Sequence, residues 1–245
     1  MECDIDYSKI PEACDDLATA LRAAGFPMPC LMAEVVSDSN VSESFDYIVS
    51  HLESKEQREH YWPRKSEVTA KLKADLVSGA FRITADVVRT IEVTDGPKRR
   101  LVQSPRVYYR IGCHAVMVVV EKYVHPTLIA NTAASIKGRG MHWLFHRIEE
   151  DCKSHPEMTR YFLANDIEKY YDSVSQEQMR RVVRQYVCDP MLLPMLDNFI
   201  SILPKGLSKG LRSSQCFANL LLSHIDHKMC ALVTSYVCEG GTARY

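Results

Sequence analysis

The sequence has nine cysteines but no C-x-x-C pair; they lie scattered at positions 3, 14, 30, 113, 152, 188, 216, 230 and 238. An odd, dispersed set does not read as a disulfide framework and predicts buried free thiols in a reducing compartment. No apolar run approaches the ~20 residues needed to cross a bilayer. The opening stretch MECDIDYSKIPEACDD carries acids where a secretory leader would carry bases. A soluble, cytoplasmic chain with no membrane partner is therefore expected. Internal repeats and low-complexity tracts are also missing.

What the chain does have is apolar material and a polarised charge. At 245 residues and 46% apolar composition it can bury one large core or two small ones. Net charge is only −1, yet residues 1–60 hold 4 Lys/Arg against 13 Asp/Glu and residues 61–245 hold 26 against 18. An acidic head of about −9 thus precedes a body of about +8. A basic body is compatible with a polyanionic partner, and equally with an ordinary cytosolic enzyme.

Apolar spacing predicts helices over 11–24 and over 42–62 from a serine cap, and a third over 66–79 closed by Gly79. Alternating β-branched residues on either side of TDGPK predict a β-hairpin that Pro105 ends. The run from 106 to 126 reads as a long apolar helix, with its valines leaving strand open. A helix over 141–152 follows, on which basic and apolar residues alternate. RYFLANDI (160–167) has strand character with an aspartate at its exit, and the Ser175/Gln178 capping box starts a helix at once. After a connection rich in proline and methionine come a helix over 213–229 and a strand, LVTSYVCE. The order α, β-hairpin, α, β, α, α, β predicts a mixed α+β protein.

Asp166 carries the most chemistry. A carboxylate at a strand end can hold a hard cation within reach of solvent, because magnesium prefers oxygen ligands and keeps several waters. A helix-capping or surface aspartate is the alternative. His142 and His146 have i, i+4 spacing, but no third zinc ligand follows, so ordinary helix histidines are expected. Met179, Met191 and Met195 read as core filler.

The stretch YFLANDIEKYYDSV (161–174) resembles the first palm motif of reverse transcriptases, an apolar strand, Asp, an apolar residue, two spacers and two aromatics. GLSKGLRSSQCFANLLLSHIDH (206–227) resembles their second palm motif in its bacterial retroelement form, with Gly210, Ser214, Gln215 and Ala218-Asn219 in register. DGPKRRLVQSPRVYYRI (95–111) and SIKGRGMHW (135–143) resemble the fingers motifs that precede them, in the same order. The likeness covers roughly residues 64–245 and leaves the retroelement type open among retron, diversity-generating and group II intron-like.

That resemblance implies a right-hand polymerase divided into an acidic helical extension (1–63), fingers (64–158) and a partial palm (159–245), with the thumb absent. It implies RNA-directed DNA synthesis from dNTPs on an RNA template with a DNA primer, by the two-metal chemistry of magnesium or, in its place, manganese. Asp166 would be the first metal carboxylate, helped by the backbone carbonyl of Ile167. Tyr171 would sit under the incoming sugar, with a core aromatic as the alternative. Arg100 would grip the triphosphate, and Lys98 and Arg99 would share the work; solvated hairpin charges are the alternative. Gly210, Ser214 and Gln215 would admit the nucleotide or template, while Lys137 and Arg139 would contact the nucleic-acid backbone. Lys209 departs from the pattern, because some members have glutamine there.

The remaining carboxylates of the family come from a Y-x-D-D hairpin. GGTARY at the end of the sequence matches its approach and Asp226 is no substitute, so this chain alone is expected to be inactive. Two further readings stay open: a maturase-like or regulatory fragment that binds RNA without catalysis, and a gene fragment with no stable fold.

Overall fold

The computed structural model describes residues 31–96, 98–162 and 164–238; the helix expected over 11–24 and the terminal GGTARY lie outside the described residues. Helices α1 (Leu31–Val35), α2 (Asp38–Ser50), α3 (Lys55–Tyr61) and α4 (Lys65–Ser78) lead into the antiparallel strands β1 (Val88–Asp95) and β2 (Lys98–Pro105). Then follow α5 (Val107–Val124), α6 (Met141–Ser154), a single turn α7 (Tyr170–Ser173), α8 (Gln176–Tyr186), α9 (Leu193–Ile200) and α10 (Arg212–Cys238). The chain is a mixed helix-and-sheet protein, in line with the expected α+β class. No helix among the described residues is long and apolar enough to cross a membrane.

The valines of α5 resolve as helix because the segment is buried on nearly every side. Ile111, Ala115, Val116, Met117, Val119, Val120 and Val124 are all inaccessible or nearly so. Only an apolar helix at the centre of a core can be apolar all round. Around α5 pack α1, α2, α4 and α10. The acidic head is therefore partly core: Val35, Val41, Phe45 and Val49 join the same cluster as α5. Asn40 fixes the seam, donating from Nδ2 to the carbonyls of Val35 (2.8 Å) and Ala115 (3.0 Å). Buried backbone oxygens demand such donors.

Several boundaries differ from expectation. The helix read over 42–62 is two helices, capped by Ser37, which accepts from Asn40 N, and by Ser54, which accepts from Gln57 N. Between them Leu52 turns into the core, and Ser54 starts the second helix with its own cap. Leu193–Ile200, read as connection, is a helix with proline in its first turn, where a missing N–H costs nothing. Ser175 caps α8 as expected, accepting from Gln178 N. Met179 and Met195 are buried as expected, but Met191 is 47% exposed.

Both single strands predicted beyond the hairpin are corrected. Residues 161–162 and 164–167 have no regular structure, with Phe162 80% exposed and Ile167 46% exposed. Strand propensity needs a neighbouring strand to pack against, and among the described residues none pairs with this segment. The stretch LVTSYVC, the rest of the expected strand up to its final Glu239, instead continues α10 to Cys238. Extending an existing helix costs one residue's ordering per new hydrogen bond, whereas a lone strand gains none.

Beneath the hairpin, Cys113 and Cys216 are buried free thiols, the former pushed up to about 11 by burial. His114 on α5 is also buried, with Nδ1 3.0 Å from Ser44 Oγ and its ring stacked 4.5 Å from Tyr47. Burial first, then the Arg212 and His51 charges, lowers its pKa from 6.5 to about 4. The unfolded chain therefore binds a proton that the folded chain refuses. Stability from this group is complete above about pH 6.5 and is lost as pH falls towards 4. Thermal unfolding midpoints across that window should fall less steeply in His114→Gln than in the parent chain.

Candidate functional site

The site is built where three loops of distant sequence meet. Leu207 N donates to the carbonyl of Tyr171 at 2.8 Å, joining the 206–210 turn to α7. Gly206 makes the approach possible: its φ is +71°, and a Cβ there would stand 2.5 Å from the Tyr171 carbonyl oxygen and 3.0 Å from the Asp172 Cα. Gln176 at the start of α8 closes the back of the turn, donating from Nε2 to the carbonyls of Leu203 (2.8 Å) and Gly206 (2.9 Å).

On its other side the same turn grips the base of the hairpin. Gln103 N donates to the carbonyl of Lys209 and Lys209 N donates to Gln103 Oε1, each at 2.7 Å. Gly210 lies against β2 so closely that a Cβ would meet Val102 Cγ1 at 2.3 Å. Lys209 Nζ then reaches Asp172 Oδ2 at 2.7 Å. One residue thus bonds the hairpin through its backbone and α7 through its side chain. Lys209 acts as a connector between the hairpin and α7.

Next to this junction opens a cavity of about 1090 Å³. Its walls come from α2 and the residue that caps its end (Tyr47, His51), the hairpin (Ile91, Val102, Gln103), α5 (Arg110, His114, Glu121), the loop Ser135–Lys137 and the 210–215 segment. Arg212 crosses it to Glu121, Nε to Oε1 at 2.8 Å and Nη2 to Oε2 at 2.5 Å, a two-pronged pair that raises the Arg212 pKa against the opposing effect of burial. Asn219 Nδ2 donates to the Ala134 carbonyl at 2.7 Å and so holds the 135–137 loop to α10.

The expected site residues separate into two groups. Gly210, Gln215 and Lys137 line the cavity, and Ser214 lies directly beneath, fully buried with its hydroxyl 3.0 Å from that of Ser208. Arg139 is nearby in sequence but engaged, donating to the Thr132 carbonyl at 3.1 Å and lying 5.4 Å over the Trp143 ring. Tyr171 is half-buried at the junction, and burial raises its pKa.

Asp166, Ile167, Arg99 and Arg100 stand apart, all exposed and none of them lining the cavity. Arg99 Nη1 sits 3.6 Å from Glu92 across the hairpin, and Lys98 opens β2. Asp226 lies near the first motif: burial raises its pKa, and its charge adds to the burial that pushes Tyr170, whose hydroxyl donates to the Ala218 carbonyl, up to about 12.

The magnesium or manganese pair implied by the resemblance needs carboxylates from more than one segment. The described residues supply Asp166 and the Ile167 carbonyl, and no group of three or more His, Cys, Asp or Glu gathers among them. They do not by themselves fit a two-metal centre. Sequence reading missed Gln103, Asp172 and the Glu121–Arg212 pair. All but Glu121 lie in quoted motifs, but their partners are 37 to 106 residues away, and spacing carries no signal of that. In comparisons with known proteins, no family model matches this chain, and no curated protein matches it either.

Proposed function

We propose that this chain is the fingers and part of the palm of an RNA-directed DNA polymerase of bacterial retroelement type, and that the cavity beside the Gln103–Lys209 junction receives the template strand. One observation carries the reading. Gln103, Lys209 and Asp172 join the segments 95–111, 206–227 and 161–174, and residues 135–137 of the fourth, 135–143, line the same cavity as Gly210 and Gln215.

The cavity suits a nucleic-acid strand. Lys137 and Arg110 offer cations for phosphates, Gln103 and Gln215 offer amides for ribose and base edges, and Ile91, Val102 and Leu211 offer apolar walls. A second reading, RNA binding without nucleotide incorporation, draws on the separation of Asp166 from the cavity.

Primer extension on an RNA template by the complete gene product decides between them. Template-dependent incorporation of dNTPs is expected, falling to background in Asp166→Asn. Extension by that variant at the parent rate would remove Asp166 from its role. A parent protein that binds RNA with salt-dependent affinity but incorporates nothing would establish the second reading.

A further inference from the structure

Three aromatic rings run in contact along one wall of the large cavity. His114 on α5 is the buried end, 8% exposed. Tyr47 on α2 stacks on it, and His51 at the end of α2 lies 4.4 Å from Tyr47 with 33° between the planes. Exposure rises along the run, to 49% at Tyr47, and His51 is exposed as well. His51 Nδ1 lies 2.6 Å from the Tyr47 carbonyl oxygen, so it carries the proton it donates there and the ring is held in place. Tyr47 takes no part in the core cluster, although burial is what an aromatic side chain ordinarily gains from packing. The run therefore ends in an exposed ring at the cavity.

We propose that His51, backed by Tyr47 and His114, is a stacking platform for a base of the RNA strand that the cavity receives. The inference rests on the reading of the cavity as the template channel. It adds to that reading two residues that the family likeness does not supply, because Tyr47 and His51 precede residue 64, where the likeness begins.

The chemistry of the walls selects this occupant. Every nucleobase has a planar π face, and unpaired RNA bases are held by stacking on aromatic side chains, histidine included. Beyond the Glu121–Arg212 pair, the charged side chains around the cavity are Arg110, Lys137 and Glu53, an excess of cations suited to a phosphate backbone. At about 1090 Å³ the space exceeds the ~300–1,000 Å³ of clefts that hold one small ligand, which fits linked nucleotides better than a single free one. Stacking is indifferent to base identity, so a platform of this kind grips a template of any sequence.

Fluorescence anisotropy of this chain with two labelled probes, an oligoadenylate of roughly a dozen nucleotides and an abasic ribose-phosphate oligomer of the same length, separates stacking from phosphate contacts. The parent chain is expected to bind the oligoadenylate about tenfold more tightly than the abasic oligomer. His51→Ala should remove that difference and leave the abasic affinity as it was. His51→Phe, which loses the Nδ1 bond but keeps a ring, should retain the difference. Equal parent affinities for the two probes, a difference that survives His51→Ala, or a loss in His51→Phe as large as in His51→Ala would each overturn the platform while leaving the cavity a phosphate-binding channel. Binding of neither probe at low salt would overturn the template reading itself, and the platform with it.

Discussion

Arg212→Ala is expected to lower the unfolding free energy by about 3 kcal/mol, the cost of leaving a largely buried carboxylate without its partner. Glu121 has only 11% of its side chain exposed, whereas Arg212 retains 36%, so the penalty falls on the glutamate that remains. For a chain of this size such a loss shifts the thermal midpoint by roughly 6–12 °C. The double variant Glu121→Leu/Arg212→Met should recover most of it, because two apolar side chains of similar volume leave no charge to desolvate. Arg212→Lys should fall between, keeping the charge but not the paired prongs. Urea unfolding of the four proteins at pH 7 measures the cycle; a single-variant loss below about 1 kcal/mol, the value of an exposed pair, would show that water already screens Glu121.

The second large effect is expected at Gly206→Ala. The backbone there is left-handed, which costs a residue with a Cβ about 1–2 kcal/mol, and the new methyl would sit 2.5 Å from the Tyr171 carbonyl oxygen. Relief requires the turn to lift away from α7, which breaks the Leu207–Tyr171 hydrogen bond. A total loss of about 2–4 kcal/mol follows, adding the strain to the unmade bond. Gly79 is the control: it has a similar φ of +74° but nothing within 4 Å of its would-be Cβ. Its alanine variant should lose only the conformational part, about 1 kcal/mol. Equal losses at the two positions would mean that the α7 contact contributes nothing.

The elements that could be read in advance are those whose causes are local. The hairpin carries its own turn and its own alternation, and it appears in the register Val88↔Pro105 to Asp95↔Lys98. Helix α5 declared itself by length and by apolar residues on all sides. Residues 160–167 and 232–239 have strand-forming side chains, but whether they become strands depends on a partner strand, a non-local quantity that propensity does not hold. The site divides along the same line. Gly210 and Gln215 were readable as motif members, whereas the bonds that make them a site run from Lys209 to Gln103 and Asp172, across intervals that no periodicity spans.

The paired bonds between Gln103 and Lys209 give the hairpin a mechanical character. Beyond Ile91 and Val102, which still wall the cavity, the tip stands largely in solvent, with Val93 and Leu101 exposed, so it is an arm anchored at its root. Because both bonds are at that root, any tilt of the arm must carry the 206–210 turn along or rupture two short contacts together. Through Lys209 and Asp172 the same tilt reaches α7. The hairpin root, the 206–210 turn and the loop that holds Tyr171 are thus one continuous hydrogen-bonded chain.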